Sequence, residues 1–275
     1  MTYIDAHLDN LRWRNLSSGT IYQRNRLLHR LSLHVDPLAA SAADLLLFLD
    51  RRQLDGSRLG PATRAVEISH LAAFYQWAVL EELRADDPTV RVPRPKLPRR
   101  LPRPMSEPDL TRAIAGAPLR VLPWLYLAAF AGLRACEIAP LRGEDIWWHA
   151  TPPLIVVQRG KGGDPGTVPL APPLVPVLRS LPRTDWLFPH GHGIGHVKPH
   201  GVSRASNAYL HSIGITETLH SLRHRFCTQV YRASGRDLRQ TQELARHRSI
   251  QSTVLYTQVD LTEGAGILAG LPAVG

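Results

Sequence analysis

Between Pro88 and Pro104 the chain carries six prolines, six lysines or arginines, and no acidic residue. Proline lacks a backbone N–H and biases the residue before it toward extended geometry, so neither a long helix nor an inner strand runs through such a stretch. A chain of 275 residues interrupted there reads as two domains, 1–87 and 105–275, joined by a basic, extended segment at 88–104. Six like charges without acids fit a solvated linker, and they also fit a strap lying along phosphates. The residues available for the second role are Arg91, Arg94, Lys96, Arg99, Arg100 and Arg103.

The first ninety residues predict helices. Thr20 to His34 places Leu27, Leu28 and Leu31 on one side, and Pro61 to Leu80 repeats Ile68, Leu71, Tyr75 and Ala78 at steps of three and four. Ser41-Ala42-Ala43-Asp44, just before Leu45–Leu49, has the form of a capping box. Three or four such helices with no strand candidate make a small bundle. Beyond the proline segment, Ser106-Glu107-Pro108-Asp109 opens another helix, and the uncharged run between Arg120 and Arg134 reads as a buried one. It is too short to span a bilayer, which needs about 20 residues. Leu154–Gln158 and Thr167–Leu170 are strand candidates around glycine-rich residues 160–166, a hairpin with a long tip. The expected fold class is mainly α with a small β-sheet: a helical bundle followed by an α+β domain.

Charge then narrows the partner. The formal net charge is +10, from 33 basic and 23 acidic residues, which favours polyanions and nucleic acid first. Cys136 and Cys227 form neither a disulfide framework nor a zinc spacing, and the N-terminus has no apolar signal core. A cytoplasmic protein without membrane attachment is expected. His190, His192, His196 and His200 crowd one glycine-rich stretch, but their spacing matches no metal-ligand pattern, and no metal or cofactor is expected.

Four local patterns carry chemistry: Ala131-Gly132-Leu133-Arg134-Ala135-Cys136-Glu137, Arg159-Gly160-Lys161-Gly162-Gly163, His220-Ser221-Leu222-Arg223-His224, and His247 with Tyr256 nine residues later. Each has an ordinary reading. Arg134 and Glu137 form an i, i+3 ion pair on a helix. His220, Arg223 and His224 share one helical face, as a solvated basic surface would. Lys161 is an exposed tip, and Tyr256 is a core aromatic. Taken together they supply two arginines, an ammonium, imidazoles and a phenol. That set suits attack on a phosphodiester by tyrosine, with fixed cations stabilising both the phenolate and the crowded phosphorus.

The order and spacing of these residues resemble the tyrosine recombinases, the phage-integrase family, over nearly the whole chain. The resemblance implies a core-type DNA-binding bundle and a catalytic domain with a C-terminal tail. It implies that Arg134 and Arg223 bind the scissile phosphate, that His220 and His247 donate hydrogen bonds or assist proton transfer, and that Lys161 is general acid to the leaving 5′ oxygen. Tyr256 would be the nucleophile, forming a 3′-phosphotyrosine link; Glu137 would orient the arginine site and His224 support it. Double-stranded DNA is the implied partner, with a tetramer on DNA. Two rival readings are a type IB topoisomerase-like relaxing enzyme and a catalytically impaired DNA-binding protein on the same scaffold. The chain departs from the family where Ala245-Arg246-His247 stands in place of the frequent Leu-Gly-His. If that glycine serves a positive φ, Arg246 strains the turn or the turn differs. The target sequence and biological setting are not written in these residues.

Overall fold

The computed structural model describes residues 2–53, 55–98, 102–158, 165–191 and 194–256. The chain divides into two compact units, Met1–Arg100 and Leu101–Gly275.

The first unit is a bundle of α1 (Tyr3–Trp13), α2 (Ser18–Ser32), α3 (Ala42–Leu49) and α4 (Pro61–Leu80). Thr2 and Ser41 cap α1 and α3 with reciprocal boxes to Asp5 and Asp44, each such cap contributing about 1 kcal/mol. The core is Leu8, Leu11, Leu28, Leu31, Leu45, Ile68, Leu71, Phe74 and Tyr75. Each large apolar side chain buried there stabilises by about 1.5–3 kcal/mol. Pro88–Arg91 forms a 3-10 turn against α3 and α4, where an extended strap was expected. Asp87 caps it, accepting from the Thr89 N–H at 2.8 Å, and Val92 is buried behind it. Arg91, Arg94 and Lys96 are exposed, as is Arg103 in the second unit; Arg99 and Arg100 lie outside the described residues.

The second unit contains α5 (Glu107–Ala115), α6 (Leu122–Phe130), α7 (Ala135–Ile138), α8 (Leu174–Arg179), α9 (Pro199–Ser212), α10 (Leu219–Ala233), α11 (Leu238–Ala245) and α12 (Gln251–Val254). Its sheet is antiparallel, in the order β1 (Ile146–Trp147), β2 (Leu154–Val157), β3 (Gly166–Pro169). Along β2 and β3 burial alternates, placing Ile155, Val157 and Val168 in the core. The apolar α6, with Trp124, Leu125 and Leu127 buried, is the centre of this unit and packs on α10. Two polar ties fix α10. Asn207 on α9 accepts from the Leu219 N–H at 2.9 Å, and Arg225 grips both carboxylate oxygens of Glu107 on α5 at 2.8 and 2.7 Å. Among the described residues no helix is long and apolar enough to cross a membrane.

Candidate active site

The turn after α6 is built around Gly132, whose φ is +61°. A Cβ there would sit 2.3 Å from the Phe226 ring on α10. Glycine thus meets two demands, a left-handed backbone and a close approach between segments. The turn delivers Arg134 to the start of α7 with extended φ and ψ.

Glu137, one turn later, is 2% exposed. Its Oε2 accepts the Arg134 N–H and its Oε1 accepts from Arg134 Nη1, both at 2.8 Å. Arg246 Nη2 donates to Oε2 at 3.1 Å, and Arg223 Nη1 lies 3.9 Å from the same oxygen. Three guanidiniums therefore surround one carboxylate, leaving two net positive charges. Burial alone would raise the Glu137 pKa. The Arg246 charge, the Arg134 N–H and the other two guanidiniums outweigh it and hold the carboxyl below its ordinary value.

Arg223 is 1% exposed. Helical spacing predicted that it shares a face with His220 and His224, but its guanidinium turns inward, donating to the Gly132 and Ala245 carbonyls. Burial pulls its pKa to about 10, so it remains charged at neutral pH. His220 stays exposed, its ring edge-on to His224 at 4.5 Å.

The phenol was expected to face a phosphate. Instead Tyr256 is buried at 7% exposure, among Phe226, Cys227 and Ala245. Its hydroxyl is 2.6 Å from His224 Nδ1, and Cys227 packs in the same cluster. Burial, then the Cys227 neighbour, pushes the phenol pKa up, against the lowering pull of Arg223 and Arg134. Burial first, then the neighbouring His220 and Arg223, pulls His224 down to about 4. A neutral His224 accepts the phenolic hydrogen at Nδ1 in the tautomer that carries its proton on Nε2.

His247 stacks on the Tyr256 ring at 5.9 Å and 11°, and its Nδ1 pairs with Thr253 Oγ1 at 2.9 Å. Burial, then Arg223, Arg134 and Arg246, lowers its pKa to about 3. The residue before it settles the question posed by the missing glycine. Arg246 adopts φ +51° and ψ +50°, so the left-handed turn is kept. Its side chain enters the site, which its sequence reading as a source of strain did not foresee.

The structure thus brings together Arg134, Glu137, Arg223, His224, His247 and Tyr256, with His220 joined through His224. Lys161 lies outside the described residues. Cys227 and Thr253 belong to the site but carried no sequence signal beyond the helical offset of Cys227 from Arg223. Among the described residues no group of three or more His, Cys, Asp or Glu side chains could hold a metal; His192 is outside that set.

The two imidazoles of the site, buried His247 and half-buried His224, carry a pH dependence, and buried His7 in the first unit adds to it in the same direction. Both have folded pKa values below the 6.5 of the unfolded chain, so the unfolded state binds more protons as pH falls. The stability they contribute is fully present above pH about 6.5 and is lost as pH falls through their folded values. A thermal midpoint that drops steadily from pH about 7 to about 4.5 is expected; a flat series contradicts neutral, buried imidazoles.

A family model described as the phage integrase family matches residues 107–263. Tyrosine recombinase XerD of Rhizobium meliloti (strain 1021) is 31% identical over 244 residues, covering 80% of this chain and 76% of that protein. The integrase from mycobacterium phage Brujita is 31% identical in structural alignment, with TM-score 0.50, covering 96% of this chain and 90% of that one. A lambda integrase structure, crystallised as a dimer bound to a COC′ core site, shares the fold at TM-score 0.73 and 16% identity, covering 94% of this chain and 96% of that chain. With its arginine–glutamate cluster beside Tyr256, the chain belongs to the phage integrase family and is a tyrosine recombinase.

Proposed function

We propose that the chain cuts and rejoins duplex DNA through Tyr256. The phenol oxygen, its proton passing to a histidine of the site, attacks a backbone phosphorus, forming a 3′-phosphotyrosine bond as the bond to the 5′ oxygen breaks. The leaving 5′ oxygen takes a proton from Lys161. A 5′-hydroxyl from a second duplex then attacks the phosphotyrosine, resealing the strand and returning the phenol. Bond energy is conserved, so neither water nor a nucleotide is consumed.

The observation that carries this reading is the cluster of Arg134, Arg223 and Arg246 around buried Glu137, two charges in excess, with Arg223 on the helix whose His224 meets the Tyr256 hydroxyl. A phosphodiester attacked by a phenolate develops two negative charges. Fixed guanidiniums match that charge without reorganising, which is the chief source of such catalysis. In this reading Arg134 and Arg223 bind the scissile phosphate, and Glu137 orients them. His220 and His247 hydrogen-bond its oxygens or assist proton transfer. His224 accepts the phenolic hydrogen at rest, and DNA binding must draw Tyr256 out of that contact.

Within the N-terminal unit, 1–87 is the core-type DNA-binding domain, and 105–275 is the catalytic domain. Arg91, Arg94, Lys96, Arg99, Arg100 and Arg103 in the connecting segment contact phosphates. Neutralised phosphates release counterions, so affinity falls steeply with salt. Alanine at Arg91, Arg94 and Lys96 is expected to reduce the salt slope by up to about one per lost contact; an unchanged slope removes the segment from the interface. Strand exchange joins two duplexes, which calls for four protomers on DNA, in the cytoplasm where DNA resides.

Exchange itself is the test. Two labelled duplexes drawn from the DNA flanking the gene should yield recombinant products in EDTA. Relaxation by a monomer without exchange favours the topoisomerase-like alternative. Tight binding with no strand cleavage favours the impaired DNA-binding one.

A further inference from the structure

The recombinase reading assigns two arginines to the phosphate, yet the site contains a third. Arg246 is held in a backbone conformation that costs any residue with a Cβ, at a position where glycine is at ease. Its side chain is not turned to solvent. It is only 10% exposed and donates to Glu137 Oε2 at 3.1 Å. Nη1 lies 3.3 Å from the Leu244 carbonyl, and Nη2 lies 3.4 Å from the Gly132 carbonyl that Arg223 also uses. Gly166 on β3 leaves room for it, since a Cβ there would stand 2.8 Å from Arg246 Cδ. The Arg246 Nε is buried with no partner among the described residues.

The charge balance gives this placement a purpose. With Arg134 and Arg223 alone, Glu137 would cancel one of the two positive charges facing a phosphate. Arg246 supplies the counter-charge to Glu137 from the side of α11, so both other guanidiniums keep their charge for the substrate. It also ties the turn at Gly132, which aims Arg134, to the end of α11, which leads into His247.

We infer that Arg246 is a positioning residue of the active site, the counter-ion of Glu137 that frees Arg134 and Arg223 to act on the phosphate. The inference rests on the recombinase reading above.

The backbone supplies a clean test. Arg246→Gly suits the left-handed turn better than arginine does and leaves Glu137 paired with Arg134 and Arg223, so the variant should fold. If Arg246 is merely tolerated, Arg246→Gly should cleave as fast as the unaltered protein, or faster. The inference predicts the opposite: a drop of about tenfold or more in single-turnover adduct formation on nicked duplexes from the flanking DNA, with duplex affinity unchanged. Arg246→Lys keeps the charge and should recover most of the rate, whereas neutral Arg246→Gln should not. The pH–rate profile should also move to higher pH in Arg246→Gly and Arg246→Gln, because a phenolate facing less positive charge forms less readily. Full activity in Arg246→Gly, or equal losses in the lysine and glutamine variants, overturns the inference. Arg134→Ala and Tyr256→Phe run alongside separate the two levels. If either still forms adduct, or the unaltered protein forms none, the underlying reading fails and takes the inference with it.

Discussion

Replacing Glu137 with alanine is expected to destabilise the C-terminal unit by about 3–5 kcal/mol, the cost of removing one partner from a buried ion pair. The carboxylate is the shared acceptor for Arg134, Arg223 and Arg246, and it also satisfies the Arg134 backbone N–H. Without it, three guanidiniums repel one another in a site that water scarcely reaches. Glu137→Gln keeps an oxygen for the N–H but not the charge, and should fall between the two. Urea denaturation read at constant slope gives the difference directly. Sulfate should restore part of the loss in Glu137→Ala, because an anion can replace the missing counter-charge from the substrate side. A loss below about 1 kcal/mol, in the range of an exposed pair, would contradict the role of Glu137 as the hub of the site.

Tyr256→Phe should have the largest effect on chemistry and one of the smallest on folding. The phenyl ring keeps its stack on His247 and its apolar neighbours Phe226, Cys227 and Ala245. Only the hydroxyl and its 2.6 Å bond to His224 go, a net cost of about 0.5–1.5 kcal/mol. Covalent attachment to DNA needs that oxygen, so adduct formation should vanish while duplex affinity stays. Gel-shift titration and denaturing electrophoresis of the same reaction check both halves. Residual adduct in this variant would mean another nucleophile.

The elements that rest on local signals were legible in the sequence. Helix α4 runs over Pro61–Leu80 as its periodicity indicated, and Ser41 caps α3 through Asp44. The buried helix before Arg134 and the β2–β3 hairpin follow in the same way. What escaped was set by distant partners. Strand β1 has two residues, too few to show a period, and exists through pairing with β2. Pro88 starts a 3-10 turn because Asp87 can cap it and Val92 can be buried, which the proline rule does not register. The offset from His220 fits a solvated basic face as the ordinary reading of Arg223, but carbonyls 91 and 22 residues away draw it inward. The same holds for Arg246. The sequence marked its turn as one where glycine is at ease, and only the folded chain reveals the carboxylate that makes an arginine useful there.

The central claim is that Tyr256 is the residue joined to DNA, and mass spectrometry of the trapped complex tests it most directly. A nicked duplex that sheds its leaving strand should accumulate adduct in EDTA as readily as in magnesium. After digestion, the nucleotide mass should sit on the peptide containing Tyr256. Tyr209 is tied to the Ala113 carbonyl at 2.8 Å and Tyr231 sits two turns along α10 from Arg223, so neither is expected to carry it. DNA found on either of them, or cleavage that requires metal and leaves no adduct, would contradict the account.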